Sequence, residues 1–394
     1  MNPYSTIILK KGKEDAVKRF HPWIFSGAIH RIEGTPEEGD FVKILSSEME
    51  CIAVGHYGTG SISVRIIAFE DVEINQEFWI KKLQNALEIR KRCNLVDNSQ
   101  TNAFRLIYGE GDELPGLIID IYDKTAVIQC HSLGMYHLID DIAKALDSLV
   151  GLPLDCIYNK SSDAIGKQTG LKIEDSFLKG DQTSTIILEN NHRFEVDWVE
   201  GQKTGFFLDQ RDNRALLGNF VKDKSVLNTY CYSGGFSVYA LKAGAKFVHS
   251  VDASQKATLL TSKNLSHNGF SDVENDVMTE DVRTYLQHCP MYDVIVLDPP
   301  AFAKHYSQKA QAIKGYRNIN AAAIKKINKG GVLFTFSCSQ AMDRDLFQGT
   351  VVSAAIQAGR QCRILYSLSQ SPDHPMNAFF SEGHYLKGLV LIFD

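Results

Sequence analysis

Short apolar runs broken by glycine and proline open this chain, and longer apolar blocks alternating with helical periods close it. Over residues 1–72 the runs STIILK, FVKILSS, CIAVGHYG and SISVRIIAF, with HPWIFSGAI between the first two, predict short strands folding into a small β-barrel. Residues 73–185 begin with a helical period, EFWIKKLQNALEIRKRC. Strands around LPGLIIDIYD and TAVIQCHS follow, then a helix at YHLIDDIAKALDSLV and a strand at CIYNKS, a pattern that predicts a central α+β domain. A hairpin at STIILENNHRFEVDW, within 184–199, joins this region to the next, and Asn190-Asn191 suits the positive φ angles of its turn. From about residue 200 onward strand and helix alternate, which signals parallel βαβ units in a third region over 186–394.

Two apolar runs of that third region end in chemistry. VIVLDPPAF occupies residues 294–302 and LFTFSCSQ residues 333–340. Ligand chemistry in an open α/β sheet collects at the carboxyl ends of parallel strands, so Asp298 and Cys338 are expected to face one crevice. A carboxylate followed by Pro299, Pro300 and Phe302 offers an acceptor and a stacking surface to a flat, amine-bearing substrate, and a cysteine between serines offers a nucleophile. The plain structural alternatives are a turn-capping Asp298, a buried thiol at Cys338 and a core aromatic at Phe302.

SVLNTYCYSGGFSVYALKAGAKFVHSVDAS, at 225–254, reads as strand, glycine turn, helix, strand and acidic tip. Gly234 and Gly235 would let a ligand approach the backbone at a helix start, and Asp252 would hold ribose hydroxyls. Because the glycines do not follow GxGxxG, S-adenosylmethionine fits better than a dinucleotide. Asn228, Tyr230 and Ser233 join the candidate cofactor contacts, although Tyr230, like Cys231 and Tyr232, could equally pack. VENDVMTEDVRTYL is expected to place Asp276 and Val277 at the adenine edge, at the next strand end. A tight turn without any ligand is the alternative for the glycines.

Composition sets limits on this picture. With 394 residues, 44% hydrophobic and 23% charged, the chain has core enough for two or three folded domains. No apolar run approaches the roughly 20 residues that span a bilayer, and MNPYSTIILKKGKED lacks the form of a secretion signal, so a cytoplasmic protein without membrane partners is expected. The eight cysteines are scattered singly without CxxC spacing, which offers neither a zinc site nor a disulfide framework. Net charge is −5, yet residues 301–329 hold seven basic side chains and no acid. This stretch follows DPPAF directly, so Lys304, Lys314 and Arg317 are candidate phosphate contacts, the alternative being a solvated lysine face.

Eight segments, in order, carry a family resemblance: HPWIFSGAI at 21–29, EGDELPGLIID at 110–120, KTGFFLDQRDNR at 203–214, NTYCYSGGF at 228–236, LDPPAFAK at 297–304, KGYRNIN at 314–320, FTFSCS at 334–339 and DHPMNAFFSEGHYLKGL at 373–389. The chain resembles bacterial 23S ribosomal RNA cytosine-C5 methyltransferases that carry an N-terminal PUA domain. That resemblance implies a multidomain α/β protein: a PUA-like barrel, a central α+β domain and a class I, Rossmann-like methyltransferase domain with a mostly parallel sheet. It further implies S-adenosylmethionine as cofactor and 23S ribosomal RNA as partner, with Cys338 adding to cytosine carbon-6 and Asp298 holding the ring as charge develops. Gln210 and Arg211 would bind the methionine end of the cofactor, unless they only cap a helix and pair charges. A homodimer is allowed by the family, though no residue pattern argues for one. Where related RNA cytosine-C5 enzymes carry a second cysteine after Asp-x-Pro, this chain has Pro300 and Ala301, which leaves the base for the carbon-5 proton unassigned. Two other readings stay open: methylation of an exocyclic amine, which an Asp-Pro-Pro-aromatic loop also suits, and a noncatalytic RNA-binding ribosome assembly factor.

Overall fold

The computed structural model describes residues 4–270, 275–303 and 308–394. The chain groups into two compact units, one of Met1–Ile187, Val196–Phe206 and Pro372–Gly383, the other of Leu188–Glu195, Phe207–Ser371 and His384–Asp394. Among the described residues no helix is long and apolar enough to cross a membrane.

The first unit begins with β1 (Ser5–Leu9), α1 (Glu14–Lys18), β2 (Trp23–Phe25), β3 (Ile29–Glu33), β4 (Phe41–Leu45), β5 (Cys51–Tyr57) and β6 (Ile62–Ala68). These strands form one sheet in the order β2-β6-β5-β4-β1-β3, antiparallel throughout except where β1 lies parallel to β4. Burial alternates along β4, with Val42 and Ile44 inside, because successive strand residues point to opposite faces. Ile7, Leu9, Val64 and Ile66 join them in a separate apolar core.

A second sheet follows from α2 (Gln76–Arg92), β7 (Ala103–Tyr108), β8 (Leu117–Tyr122), β9 (Thr125–Cys130), α3 (Leu133–His137), α4 (Ile139–Asp147), β10 (Cys156–Asn159), α5 (Ser162–Thr169) and β11 (Ser176–Lys179). Its order is β11-β10-β9-β8-β7, and Trp79, Leu83 and Leu87 of α2 pack into its core. The sequence pattern had not called for β7, α5 or β11. In β7 the run AFRLIY is interrupted by Arg105, which pairs in the fold with the buried Asp120 at 2.7 Å, so a charge that reads as a break is satisfied within the sheet.

Arg90 of α2 is wholly buried and organises its surroundings. Its guanidinium donates to the Asp112 carboxylate at 2.7 Å, to the Arg105 carbonyl at 2.7 Å and to the Asp373 carbonyl at 2.8 Å. Asp112 also accepts from the Tyr108 amide at 2.6 Å. One cation thereby fixes a helix, a strand, a turn and the distant segment Pro372–Gly383.

The connecting hairpin pairs β12 (Ser184–Glu189) with β13 (His192–Asp197). Its turn residues Asn190 and Asn191 have φ of 49° and 64°, the left-handed pair that a tight two-residue hairpin demands.

The second unit holds α6 (Arg211–Leu217), β14 (Ser225–Thr229), α7 (Gly235–Lys242), β15 (Phe247–Asp252), α8 (Gln255–His267), β16 (Asn275–Thr279), α9 (Val282–His288) and β17 (Tyr292–Leu297). It continues with α10 (Lys309–Ile324), β18 (Ile327–Ser337), α11 (Arg344–Gln357), β19 (Cys362–Leu368) and β20 (Lys387–Phe393). Seven strands lie in the order β16-β15-β14-β17-β18-β20-β19, and β20 alone runs antiparallel to its neighbours. Every residue of β14 is buried, as expected for a central parallel strand covered on both faces.

Replacing Arg90 with methionine should strand the buried Asp112 carboxylate and lower stability by about 3–5 kcal/mol. Urea unfolding followed by tryptophan fluorescence measures this, and a midpoint unchanged from the parent protein would refute the assigned role.

Candidate active site

Strand order reverses between β14 and β17, whose neighbours continue outward in opposite directions. Loops leaving the carboxyl ends at such a point diverge and open a crevice. The loop after β14 is tightly wound: Tyr230, Tyr232 and Gly234 have φ of 53°, 46° and 72°, and two of these are not glycine, so the backbone there is held against its own preference. What holds it is visible. The Tyr232 amide donates to the Asp252 carboxylate at 3.1 Å, the Gly234 amide to the Cys231 carbonyl at 2.7 Å, and the Asn264 side chain to the Ser233 carbonyl at 2.8 Å.

Both glycines are demanded by close approach. A Cβ on Gly234 would lie 2.7 Å from Thr261 Cγ2, and one on Gly235 would lie 2.9 Å from Arg214 Cδ. Helix α7 therefore starts at the crevice, with first-turn N–H groups that have no partner inside the helix.

Several expected cofactor contacts prove to be supports. Asn228 is buried and donates to Ser237 Oγ at 2.8 Å, which in turn meets Ser250 Oγ at 2.7 Å, so it pins α7 and β15 from behind. Tyr230 packs against the apolar core, and burial pushes its phenol up to about 12. Cys231 is buried beside Thr261. Asp276 and Val277 do not end their strand: they pair with His249 and Ser250, and Thr279 is the residue level with Asp252. Two further residues of chain carry β16 to the crevice, which puts Glu280 and Asp281 at that edge in their place.

The ends of β17 and β18 carry the two candidate reactive groups. Leu297 pairs with Thr335 in parallel register, so Asp298 and Cys338 leave the same edge of the sheet. Residues 331–337 and Ser339 are buried, whereas Cys338 is half-exposed. Ser339 Oγ donates to the Ala303 carbonyl at 3.0 Å, tying the cysteine loop to the DPPAFA loop. Burial pushes the Asp298 carboxyl up to about 7, helped by the negative charge of Asp209 and opposed by a hydrogen bond from Gln210. That bond, Gln210 Nε2 to Asp298 Oδ2, is 2.9 Å long, and the Gln210 oxygen accepts from Asn213 at 2.6 Å. Gln210, expected at the methionine end of the cofactor, thus orients the acid. Arg211 is buried 3.6 Å from Glu189. Glu189 is also gripped at 2.8 and 2.7 Å by Arg214 and receives the Tyr239 hydroxyl at 3.0 Å, so Arg211 belongs to a buried charge cluster and not to an open binding face.

Asp209, Tyr385 and Lys387 were given no role by the sequence. Asp209 Oδ2 accepts from the Tyr385 hydroxyl, and its buried Oδ1 has no hydrogen-bond partner among the described residues. Lys387, fully inside, donates to the carbonyls of Ser339 at 2.7 Å and Tyr385 at 2.6 Å. Burial brings its ammonium down to about 8, with the charge of Cys338 opposing. The Cys338 thiol is pushed up to about 11 by burial, then by Asp298 and Asp209, against the pull of Lys387. Thiol, two carboxyls and one amine thus share a single electrostatic neighbourhood. The available signal for Lys387 was a lone charge opening an otherwise apolar strand, KGLVLIF.

Around this group Pro299 is buried and Pro300 exposed. Phe302 sits edge-on against Tyr316, 4.7 Å between centroids, with the Arg283 guanidinium 5.6 Å over its ring; it is packed, where a stacking platform had been expected. Lys304 lies outside the described residues. On α10 Lys314 is exposed and Arg317 half-buried, the latter with its Nε unpartnered among the described residues.

Residues 173–375 match the S-adenosylmethionine-dependent methyltransferase family, and residues 7–69 a PUA-like domain. Across 396 residues the chain is 41% identical to the ribosomal RNA large subunit methyltransferase I of Aeromonas hydrophila, covering 98% of this chain and 99% of that one. The chain belongs to this methyltransferase family. A counterpart of the same name in Alteromonas mediterranea is 40% identical over 391 residues, 98% of each chain. The fold is shared with a crystal structure of SMU.776 complexed with SAH, at TM-score 0.84 and 22% identity over 98% of this chain and 99% of that one.

S-adenosylmethionine is accordingly the cofactor of this methyltransferase, and the crevice suits it. The N-terminus of α7 favours a carboxylate, and Asp252 stands at the tip of the neighbouring strand, where ribose hydroxyls are held. Gly234→Ala should destabilise the protein by about 1–3 kcal/mol through a forced left-handed alanine and contact with Thr261. S-adenosylmethionine affinity should fall at least about tenfold with it, since a 1.4 kcal/mol loss at the turn is a tenfold change. Calorimetric titration of folded variant protein checks this; parental affinity would remove the turn from the cofactor site.

Proposed function

We propose that this methyltransferase transfers a methyl group to carbon-5 of a cytosine in 23S ribosomal RNA, through a covalent adduct of Cys338 at carbon-6. The names of its relatives support the RNA substrate. The observation that carries the chemistry is the emergence of Cys338 and Asp298 from adjacent parallel strands, close enough that the Asp298 charge adds to the burial that raises the thiol.

Cytosine carbon-5 is a poor nucleophile until something adds at carbon-6. The Cys338 thiolate forms the Sγ–C6 bond, the C5–C6 π electrons move toward N3, and Asp298 in its protonated form delivers a proton there. Carbon-5 is then an enamine carbon. S-adenosylmethionine, when bound, supplies an electrophilic methyl group. Loss of the carbon-5 proton to water afterwards expels the thiolate, and return of the N3 proton to the Asp298 carboxylate restores the neutral ring. An acid with its ionisation near neutrality suits proton delivery, which is why crowding Asp298 with Asp209 is useful. Gln210 keeps the Asp298 carboxyl aimed, and the charge of Lys387 favours the thiolate. A base inside a duplex is out of reach of this crevice, so the target is a looped or single-stranded cytosine. Lys314 and Arg317 would contact the RNA backbone. The reading places the protein in the cytoplasm, with ribosomal RNA.

Cys338→Ala should reduce methyl transfer to ribosomal RNA at least about a thousandfold, because truncation removes the covalent route. Mass spectrometry of digested RNA should find the methyl on cytosine carbon-5. Retained turnover with the methyl on nitrogen would establish the exocyclic-amine reading instead.

The pH profile reads the two groups. Because thiolate rises and protonated Asp298 falls with pH, kcat/KM should climb about tenfold per unit up to near 7 and then level off. Asp209→Asn removes a like charge, lowers the Asp298 value and should move that break to lower pH. A break that stays in place would exclude Asp209 from the coupling.

A further inference from the structure

Within the first unit, and apart from the methyltransferase crevice, lies a cavity of about 250 Å³ lined by Glu38, His56, Thr59, Arg65, His131 and Ser132. His131 and Ser132 are engaged with Gln129 and the Met135 amide, whereas His56 and Arg65 are idle. His56 is 2% exposed and neither ring nitrogen has a hydrogen-bond partner among the described residues. The half-buried Arg65 guanidinium makes no hydrogen bond or ion pair to a described residue, although Glu38 and Glu110 are close enough to act on its charge. At the mouth, Glu38 is exposed and takes one hydrogen bond, from Thr59 Oγ1 at 2.9 Å. Gly134 lets α3 come up against His56: a Cβ there would lie 2.3 Å from the imidazole.

The chemistry of this set selects a ligand. Carboxylates beside a single guanidinium oppose a phosphate and favour a neutral group with both donors and acceptors. Burial brings His56 down to about 3 and His131 to about 4, so both rings are neutral at pH 7; His131 already meets Gln129 Oε1 through Nε2 at 3.1 Å, and the unpartnered His56 ring keeps one donor and one acceptor. A volume under the roughly 300–1,000 Å³ of drug-sized ligand sites leaves room for one base. Guanine alone among the four bases presents two adjacent acceptors, O6 and N7, to a guanidinium fork and two adjacent donors, N1–H and N2–H, to a carboxylate.

We propose that this cavity is a base-binding pocket that takes an unpaired guanine of the RNA, read by Arg65 and Glu38 and completed by His56. The inference rests on the RNA substrate proposed above. It adds a second anchoring point on the RNA, remote in sequence from the methylated cytosine's site.

Calorimetric titration of the full-length protein with guanosine, adenosine, cytidine and uridine 5′-monophosphates tests it without any methyl transfer, so its outcome is separate from that of the methylation assay. Guanosine monophosphate should bind at least about tenfold more tightly than the others. Arg65→Met and the exposed Glu38→Gln should each weaken it by roughly 10- to 100-fold, the range for loss of a bidentate base contact, with unfolding midpoints unchanged. Should Arg65→Met fail to fold, Glu38→Gln carries the test. Equal binding of all four nucleotides, no heat with guanosine monophosphate, or indifference to the folded variants would overturn the proposal. A single-stranded RNA oligomer with one guanine should compete with the mononucleotide, and failure to compete would assign the pocket to a free nucleotide and overturn the RNA reading of it.

Discussion

Packing β17 in parallel register against β18 forces a carboxyl group and a thiol out of the same edge of the sheet. The rest of the site is a response to that crowding. Asp298 and Cys338 are both acids, both are largely withdrawn from water, and Asp209 adds a further negative charge. In so little solvent three ionised groups of one sign cannot coexist cheaply, so protons are retained that exposed groups would release. Burial first and the neighbouring negative charge second make the thiol a reluctant nucleophile and bring Asp298 up to about 7. Lys387, held by two carbonyls, is the counterweight that the neighbourhood contains.

Around this group the structure is stiff where chemistry needs it to be. Glu189 gathers Arg211, Arg214 and the Tyr239 hydroxyl into one buried cluster. Arg214 also fills the space beside Gly235, so the cluster that anchors α6 bears on the start of α7. A single set of charges thereby fixes both the helix that follows Gln210 and the glycine turn before α7. The left-handed residues of that turn persist because amide and side-chain hydrogen bonds on either side hold them.

Much of this was legible in the chain. Alternation gave β4 and its neighbours, Asn190-Asn191 gave the hairpin turn, and strand-glycine-helix spacing gave β14, its turn and α7, because periodicity and positive-φ chemistry are local properties. The motifs ending β17 and β18 located Asp298 and Cys338. Roles that depend on what lies behind a residue were not legible. Asn228, Gln210, Arg211 and Phe302 each sit in or beside the right motif, yet each is turned to a partner on another element. Asp276 and Val277 failed for a related reason: a strand's exact end is set by its pairing with β15, which no local pattern records.

What the amino-acid order determined by itself, then, was the kind of fold, the glycine turn after β14 and the two strand ends that carry Asp298 and Cys338, all consequences of short-range pattern. What only the tertiary structure decided was the electrostatics: which carboxylate crowds Asp298, which amine stands by Cys338, and which basic groups are consumed in buried pairs. Ionisation in a protein interior depends on desolvation and on charges brought close by folding, and neither is written in sequence separation; Gln210 and the carboxylate it orients stand 88 positions apart.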